Sequence, residues 1–372
     1  MNKPTKVIIS GGGTGGHIFP ALSIAESLKA IDPTIDILFV GALGKMEMEK
    51  VPAAGYPIKG LPVAGLQRKL SLKNLALPFK VIKSVRMAGK ILKEFQPDVA
   101  VGVGGFASAP LLWSASRHGI PTLIQEQNSY AGLTNKIVGK RAKTICTAYE
   151  GMEKFFPKDR IILTGNPIRG EINPPTEEQR QEGYLYYDLD PAKKTLFVVG
   201  GSLGCRTLNQ TMMQWIESGK ARKCGYQVIW QCGKYYKDEV DLFLAARRTP
   251  NVHHYEFIRR MDLAYAVADV IVSRAGAGTI SELCVAGKAT IFVPSPNVAE
   301  DHQTHNAMAL VNKEAALMVR DAEAVEKLIP EVESLLGDPE RIATLEANIR
   351  KLGRKDAGEV IAREVLKLAK EK

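Results

Sequence analysis

Hydrophobic positions along the chain fall into short runs rich in β-branched residues, separated by stretches whose apolar residues recur every three or four positions. In the first half, the short runs predict strands and the periodic stretches predict helices. Strands are expected at 6–10, 35–41, 99–103, 122–125 and 144–147, and helices at 20–30, 79–95 and 131–142. Because strands and helices alternate, the pattern predicts a parallel sheet with right-handed crossover connections.

The same alternation begins again after a polar, proline-bearing stretch at 165–194. Further strands are expected at 195–199, 227–230, 270–273 and 290–293. We therefore predict an α/β chain of two doubly wound, Rossmann-like domains that face each other across a deep cleft. The predicted parts are an N-terminal domain at 1–165, a C-terminal domain at 166–340, a linker at about 165–194, and helices at 341–372 that pack back across the cleft.

Each half opens with a glycine-rich loop directly after its first strand, at 11–17 and at 200–204. A strand that leads through glycines into a helix presents backbone N–H groups and the positive end of the helix dipole, which bind phosphate. The first loop also has the G-x-G-x-x-G spacing of dinucleotide-binding folds, but the second strand ends at Gly41 without the acidic residue expected there. A Walker loop is excluded because no Gly-Lys-Ser/Thr follows.

Charge narrows the range of partners. The 372 residues are 45% hydrophobic and 24% charged, which is typical of a soluble globular protein. An excess of 50 Lys and Arg over 40 Asp and Glu gives a net charge of +10. This excess indicates an anionic partner, and charge alone leaves phosphates, nucleic acid and an acidic membrane surface open.

Other patterns exclude some classes of site. The five cysteines are scattered without a C-x-x-C pair, which predicts reduced thiols in the cytoplasm and no metal site. The pair Asp188 and Asp190 has a D-x-D spacing, but Asp190-Pro191 is typical of a turn. Neither an export signal nor a spanning helix is expected from the apolar runs.

Three sequence blocks together closely resemble the MurG family of peptidoglycan glycosyltransferases. They are GGTGGHIFPA at 12–21, EQNSYAGLTNK at 126–136 and SRAGAGTISE at 273–282. Shorter blocks at 104–106, 165–169, 200–202 and 301–306 extend the resemblance from about residue 6 to the carboxyl terminus. The resemblance implies the two-domain GT-B fold and an inverting transfer of N-acetylglucosamine (GlcNAc) from UDP-GlcNAc.

The resemblance also implies the acceptor, which is the 4-hydroxyl of the muramyl sugar (MurNAc) in undecaprenyl-pyrophosphoryl-MurNAc-pentapeptide (lipid I). The product is then lipid II, and no obligatory metal or other cofactor is implied. Other functions stay open. They are a UDP-GlcNAc 2-epimerase, which shares the GT-B fold and a similar donor site, a glycolipid synthase of the diacylglycerol type, and a non-enzymatic sensor of nucleotide sugars.

In this resemblance the C-terminal domain holds the donor. Phe257 and Ile258 are implied to meet the uracil, and Glu282 to accept hydrogen bonds from two ribose hydroxyls. Gln303 and Asn306, three apart on a predicted helix, are implied to read the sugar hydroxyls. The other implied donor contacts are Thr14, Gly15, Gly16, His17, Asn128, Arg169, Ser202, Ala277, Gly278 and Thr279.

The N-terminal domain is implied to take the acceptor. The implied acceptor contacts are Gly13, Thr14, Gly15 and Gly16 at the lipid pyrophosphate, and Phe106, Asn128 and Asn135 beside it. His17 stands at the entrance of the first helix. It is either the general base for the 4-hydroxyl or a ligand of a phosphate, and both roles fit a side chain that titrates near neutral pH.

A lipid acceptor requires contact with a membrane. Residues 61–95 contain a dense set of basic side chains against a single acid, Glu94, together with several leucines. Basic residues around exposed leucines suit peripheral binding to anionic lipid. The membrane contact is expected within 66–83, on Leu72, Lys73, Leu75, Phe79 and Lys80. The alternative for the later half is the buried stripe of a core helix.

These expectations together predict a peripheral protein on the cytoplasmic face of the plasma (inner) membrane. Its expected partners are UDP-GlcNAc, undecaprenyl-linked lipid I, an anionic membrane surface and cell-wall synthesis proteins. Nucleic acid is not among them.

Overall fold

The computed structural model describes residues 3–63, 77–247 and 249–371. The described chain forms two compact units. The first comprises the chain up to Ile168 and again from Arg354 onward, and the second comprises Arg169–Gly353. The observed division therefore lies at Ile168, within the stretch that was expected to be a linker.

Each unit is built on one parallel sheet. The strands of the first unit are β1 Lys6–Ser10, β2 Asp36–Ala42, β3 Ile58–Leu61, β4 Val99–Gly102, β5 Thr122–Glu126, β6 Thr144–Thr147 and β7 Ile161–Leu163. Those of the second are β8 Lys194–Val199, β9 Tyr226–Gln231, β10 Val252–Tyr255, β11 Val270–Ser273, β12 Thr290–Phe292 and β13 Leu317–Met318. The strand orders are β3-β2-β1-β4-β5-β6-β7 and β10-β9-β8-β11-β12-β13.

Helices separate many of these strands, and further helices follow β13. The helices are α1 Gly15–Ile31, α2 Glu47–Ala53, α3 Leu77–Phe95, α4 Ser108–Arg117, α5 Leu133–Gly139, α6 Glu177–Tyr186, α7 Arg206–Glu217, α8 Lys237–Ala245, α9 Met261–Val267, α10 Ala277–Ala286, α11 His302–Val311, α12 Ala324–Leu336, α13 Pro339–Arg350 and α14 Ala357–Lys370. The prediction of an α/β chain with two parallel, Rossmann-like sheets is confirmed. The strands β3, β7, β10 and β13 were not predicted, because they are short and carry few consecutive apolar residues.

The central strands are hydrophobic on both faces because helices cover both sides of the sheet. In β1, Val7 and Ile9 join one hydrophobic cluster, whereas Ile8 between them joins the cluster on the opposite face. All three side chains are fully buried. A continuous apolar run in the sequence therefore corresponds to a strand that fills two cores at once.

The last helix returns to the first unit. Ile361, Ala362 and Val365 of α14 are fully buried in the same cluster as Val7 and Ile9. Helix α13, in contrast, belongs to the second unit, and the chain leaves that unit at Gly353. The segment 341–372, expected as one group of helices, is thus divided between the two units.

None of the helices in the described part of the chain is long and apolar enough to cross a membrane.

Truncation of a buried α14 side chain tests how much this helix contributes to the first unit. We expect Ile361→Ala to lower the free energy of unfolding by about 2–5 kcal/mol, because it leaves a cavity in a closed core. Arg363→Ala is the matched control on the same helix, since Arg363 is exposed and pairs with the exposed Glu359 one turn away, and it should change stability by less than about 1 kcal/mol. Denaturant unfolding followed by circular dichroism measures both. Equal effects would contradict the packing of α14.

Candidate functional sites

Each sheet has a switch point, where the strand order reverses, and doubly wound folds bind ligands beside the carboxyl ends of the strands there. In the first unit this point lies between β1 and β4, whose following loops contain residues 11–14 and 103–105. In the second unit it lies between β8 and β11, followed by residues 200–204 and 274–276. Both predicted phosphate loops therefore lie where this class of fold binds ligands.

A buried carboxylate accepts a hydrogen bond from the backbone of the first glycine loop. Glu47, at the start of α2, is fully buried, and its Oε2 accepts a hydrogen bond from the Gly13 N–H at 2.9 Å while Oε1 accepts one from Ala42 N–H at 3.0 Å. A Cβ at Gly12 would collide with this carboxylate, and Gly13 has a φ of +87°. Glycine is required at both positions. Sequence reasoning did not identify Glu47, since a lone glutamate in a helix looks like a surface residue.

The N–H groups beyond Gly13 point toward the open end of α1. Thr14 and Gly16 are exposed, and the first turn, Gly15 to His17, carries no acidic side chain. The positive end of the helix dipole is therefore left for an external anion. The predicted phosphate contacts Thr14, Gly15 and Gly16 are brought together here.

His17 lies against the loop that follows β4. Its Nδ1 is 3.0 Å from the side-chain oxygen of Gln127. Gly104, at φ +98°, makes room for the ring, because a Cβ there would be 2.8 Å from His17 Cε1. Burial lowers the pKa of His17, while the hydrogen bond to Gln127, the nearby Val103 carbonyl and the charge of Glu47 oppose that shift. Burial has the largest effect, and it favours the neutral form of the ring.

The Glu-Gln-Asn block is organised around Glu126. This carboxylate is fully buried and accepts hydrogen bonds from Asn135 Nδ2 at 2.9 Å and from the N–H groups of Asn128 and Gly132, each at 3.1 Å. Burial raises the pKa of Glu126. Asn135 is itself buried, whereas Asn128 is only partly so. Of the two asparagines predicted on the acceptor side, Asn135 therefore shapes the loop from inside and Asn128 lies nearer its surface.

Phe106, the other predicted acceptor contact, follows Gly105 in the loop after β4. Its side chain is 48% exposed, and its Cδ2 lies 4.0 Å from the position that a Cβ would take on Gly13. The structure thus places an exposed ring beside the first glycine loop.

In the second unit, a buried glutamine links the glycine loop to the predicted uracil contact. Gln231, at the end of β9, donates from Nε2 to the Gly201 carbonyl at 3.0 Å and accepts at Oε1 from the Ile258 N–H at 2.8 Å. Ser202 is exposed in the loop, and Phe257 is exposed beside the buried Ile258. Sequence reasoning missed Gln231. Its only signal was a polar residue at the end of an apolar strand.

Glu282 and Arg169, predicted to contact ribose and phosphate, form a pair with each other. Arg169 Nε and Nη2 donate to Glu282 Oε1 and Oε2, both at 2.8 Å, and Tyr265 OH donates to Oε2 at 3.2 Å. The Glu282 hydrogen bond and charge raise the pKa of Arg169, and burial raises that of Tyr265. A fork of two parallel bonds is the strongest geometry for such a pair.

The first turn of α10 carries the predicted diphosphate contacts. Ala277, Gly278 and Thr279 follow the N-cap Gly276, and the turn contains no acidic side chain. A Cβ on Gly278 would meet nothing within 4 Å, so this face of the turn is open. Glu282 lies one turn further along the same helix.

The predicted sugar contacts lie on α11. Gln303 Oε1 accepts hydrogen bonds from the N–H groups of Ser295 and Ala275, at 2.8 and 3.2 Å, so the amide orientation is fixed with its NH₂ group on the other side. Asn306 is buried below it. Just before this helix, Glu300 and Asp301 have φ values of 51° and 50°, which are uncommon for residues other than glycine.

Among the described residues, no group of three or more His, Cys, Asp or Glu side chains is placed to hold a metal ion. In the D-x-D segment, Asp190 Oδ1 accepts a hydrogen bond from the Ala192 N–H at 2.9 Å. This bond stabilises a turn at Asp190-Pro191, as the sequence predicted.

Helix α3 carries a groove of about 450 Å³ that mixes apolar and basic side chains. It is lined by Phe79, Ile82, Lys83, Arg86, Met87 and Lys90. Phe79 is 76% exposed, whereas Ala88 and Ile91 further along are buried. The helix is thus a core element only in its later part. Leu72, Lys73 and Leu75, also predicted to contact the membrane, lie outside the described residues.

Two Rossmann-like units, each with a glycine loop at its switch point, define the class of GT-B glycosyltransferases and related enzymes. Sequence comparison gives the family. The profile of the Glycosyltransferase family 28 N-terminal domain matches residues 7–147, and that of the C-terminal domain matches residues 195–361. The chain belongs to glycosyltransferase family 28.

Curated relatives match over nearly the full length. Proteins of Phocaeicola vulgatus and Parabacteroides distasonis are 56% and 51% identical to this chain. The matches cover 99% of this chain in both cases, and 98% and 99% of those proteins. Both are named UDP-N-acetylglucosamine–N-acetylmuramyl-(pentapeptide) pyrophosphoryl-undecaprenol N-acetylglucosamine transferase.

Solved structures agree with the family. The crystal structure of Acinetobacter baumannii MurG has a TM-score of 0.79 and 26% identity, covering 98% of this chain and all of that one. The resemblance to the MurG family is confirmed. A UDP-N-acetylglucosamine 2-epimerase structure has a TM-score of 0.65 at 15% identity, which shows a shared fold alone.

The contact between Gly104 and His17 can be tested by adding one methyl group. We expect Gly104→Ala to displace the His17 ring. Gly44→Ala is the matched control, since Gly44 also has a positive φ, of +71°, but open space around its Cβ position. Both variants should lose about 1–2 kcal/mol of stability from backbone strain. Only Gly104→Ala should shift the NMR signals of the His17 ring, and unchanged signals would contradict the contact.

Proposed function

We propose that this protein transfers GlcNAc from UDP-GlcNAc to the 4-hydroxyl of MurNAc in lipid I and so forms lipid II. The observation that carries the proposal is the 56% identity to the Phocaeicola vulgatus transferase over nearly the whole of both chains. The epimerase resembles this chain in fold at only 15% identity. A transferase is therefore better supported than an epimerase.

The donor nucleotide binds the second unit, with its ribose on Glu282. A carboxylate offers about four acceptor positions, and Arg169 and Tyr265 take three of them. The two ribose hydroxyls need two positions, so at least one existing donor must leave. Arg169 is the partner that can move, because its side chain is 41% exposed. Its guanidinium then binds the incoming diphosphate.

The remaining donor contacts follow from the loops at the second switch point. The diphosphate lies against Ser202 and the first turn of α10, at Ala277, Gly278 and Thr279, whose free N–H groups favour an anion. The amide NH₂ of Gln303, together with Asn306, reads the sugar. The uracil lies beside Phe257 and Ile258. The N–H of Ile258 is already bound to Gln231, so its carbonyl is the free backbone group.

The acceptor binds the first unit. The N–H groups of Thr14, Gly15 and Gly16 hold the lipid pyrophosphate, since Glu47 occupies the N–H of Gly13. Phe106 and Asn128 belong to the loops around it, and Asn135, in α5, supports the second of these loops through Glu126. The loops follow the carboxyl ends of β1, β4 and β5, where this class of fold binds ligands.

His17 acts as the general base. Because burial keeps its ring neutral, it can accept a proton at pH 7, whereas a phosphate ligand would favour the charged form. His17 removes the proton of the 4-hydroxyl as that oxygen bonds to the anomeric carbon. The bond from this carbon to UDP breaks, and UDP leaves with the electron pair. Backbone N–H groups stabilise the diphosphate charge, and one displacement inverts the anomeric configuration.

The protein is peripheral to the cytoplasmic face of the inner membrane, and α3 makes the contact. Phe79 and Ile82 are exposed beside Lys83, Arg86 and Lys90. Lys80 adds a further positive charge on the same helix. Apolar side chains surrounded by bases suit insertion into a surface of anionic lipid. An association with cell-wall synthesis proteins stays a prediction without an assigned surface.

One assay tests the function. Purified protein is incubated with labelled UDP-GlcNAc and either a short-chain lipid I analogue or diacylglycerol. Labelled disaccharide lipid supports the proposal. Free N-acetylmannosamine would indicate the epimerase, labelled diacylglycerol a glycolipid synthase, and no turnover with retained UDP-GlcNAc binding a sensor. Each of these three results would overturn the proposal.

Glu282→Ala tests the ribose contact. We expect the KM for UDP-GlcNAc to rise tenfold to over a hundredfold, because losing hydrogen bonds to a charged group costs about 1.5–3 kcal/mol. Glu331→Ala is the matched control, since it removes another Arg–Glu pair of the same unit, with Arg341 at 3.0 Å. Steady-state kinetics measures both. A KM that stays at the wild-type value in Glu282→Ala would remove this residue from the site.

Ile82→Ser tests the membrane contact. Ile82 and Val81 are neighbours that are 51% and 49% exposed, but only Ile82 lines the groove. We expect Ile82→Ser to weaken binding to anionic vesicles about tenfold or more, since an inserted side chain contributes about 1.5–3 kcal/mol. Val81→Ser should bind like the wild type. Vesicle co-sedimentation measures this, and salt should weaken wild-type binding only in part. Equal loss in both variants would place the contact elsewhere.

A further inference from the structure

A buried glutamine side chain contacts His17 and has its orientation fixed by its other partners. Gln127 follows β5 and is 1% exposed. Its Nε2 donates to the Val103 carbonyl at 2.8 Å and to the Gln125 carbonyl at 3.0 Å. Carbonyl oxygens only accept hydrogen bonds, so the NH₂ group must face them. The amide oxygen therefore faces His17 Nδ1, at 3.0 Å.

The reverse orientation of this amide is unfavourable. It would place the side-chain oxygen against two buried carbonyls. The Val103 carbonyl would lose the donor it now has, whereas the Gln125 carbonyl would keep Asn135 Nδ2, at 3.2 Å. A buried polar group without a partner costs about 1–3 kcal/mol. The orientation of the Gln127 amide therefore follows from the neighbouring backbone, and it can be assigned without locating any hydrogen atom.

An amide oxygen can only accept, so His17 Nδ1 must carry a hydrogen. A neutral imidazole has a single N–H, and its other nitrogen holds the lone pair. We propose that Gln127 is a positioning residue that fixes His17 in the tautomer with Nδ1–H, so that Nε2 receives the proton of the acceptor hydroxyl. This inference rests on the proposed role of His17 as the base.

Further amides hold Gln127 in place. Gln125 Nε2 donates to Asn166 Oδ1 at 2.8 Å, and Asn166 Nδ2 donates to the Gln127 carbonyl at 3.0 Å. The Gln125 side-chain oxygen also contacts Gln127 Nε2. All three amide side chains are buried. The block at 165–169, which the sequence analysis singled out without a role for Asn166, thus anchors the chain of amides that ends at His17.

The groups around the His17 ring determine whether its pKa rises or falls. Gln127, Val103 and Gly104 face it, and Glu47 on α2 is the charged group that acts on it. The hydrogen bond from His17 to Gln127 raises the pKa of His17 against the effect of burial. The unprotonated base is needed for the reaction, so activity falls as pH drops through this pKa. Loss of the bond lowers the pKa and moves the acidic limb of the pH profile to lower pH.

Gln127→Met removes both polar functions with little change in volume. We expect kcat to fall by about 10- to 100-fold, the scale known for losing a partner that orients a metal-bound histidine. The KM for UDP-GlcNAc should be unchanged, and the acidic limb of kcat/KM should move to lower pH. A purely structural role would not move this limb. Gln227→Met is the matched control, a buried glutamine of the other unit that bridges Asp190 and Thr195, and it should leave the limb in place.

The tautomer is observed directly by long-range ¹H–¹⁵N NMR of protein labelled at histidine nitrogen, with His17 assigned by comparison with His17→Gln. We expect Nδ1–H in the wild type and in Gln227→Met, and a mixture of tautomers in Gln127→Met. A wild-type Nε2–H tautomer, or an unchanged tautomer and pH limb in Gln127→Met, would overturn the inference. An undiminished kcat in His17→Ala would also overturn it, while formation of lipid II would still uphold the proposed function.

Discussion

The backbone polar groups at the carboxyl ends of buried parallel strands need partners that the sheet no longer provides. In the first unit, buried side chains supply them. Glu47 accepts hydrogen bonds from the N–H groups of Gly13 and Ala42. Gln127 donates hydrogen bonds to the carbonyl of Val103 and to that of Gln125 in β5. The loops that carry the predicted site residues are thus held by hydrogen bonds to side chains that are buried from water.

In the second unit, glutamine side chains and loop backbone groups are hydrogen-bonded in the same way. Gln231 joins the Gly201 carbonyl to the Ile258 N–H, and Gln303 accepts from two loop N–H groups with its amide oxygen. In Gln231 both ends of the amide bind the backbone, and in Gln303 the oxygen does, so the NH₂ group is the end that Gln303 can offer to a ligand. Loop shape and hydrogen-bonding capacity toward a ligand therefore depend on the same buried side chains, and Gln303 presents donors because its acceptor is already occupied.

Local sequence determined much of this protein. Runs of β-branched residues predicted the central strands, because a strand buried on both faces must be apolar at every position. Glycines marked the two predicted phosphate loops, because glycine adopts the positive φ at Gly13 and Gly201 without strain and permits the close approach of a carboxylate to Gly12. Family-specific blocks predicted the activity that near full-length relatives support. These signals are short-range, so the sequence carries them without a folded chain.

The tertiary structure decided how those residues are connected. Arg169 and Glu282 were each expected to bind a ligand, and folding brings them together across 113 positions of the chain. Glu47 and Gln127 look like ordinary polar residues in the sequence. Only the folded chain shows that both are buried, and that Glu47 hydrogen-bonds to the first glycine loop and Gln127 to His17. Strand β13 and the return of α14 to the first unit also depend on packing. Hydrogen bonds between residues far apart in sequence leave no periodic pattern, so only the folded chain reveals them.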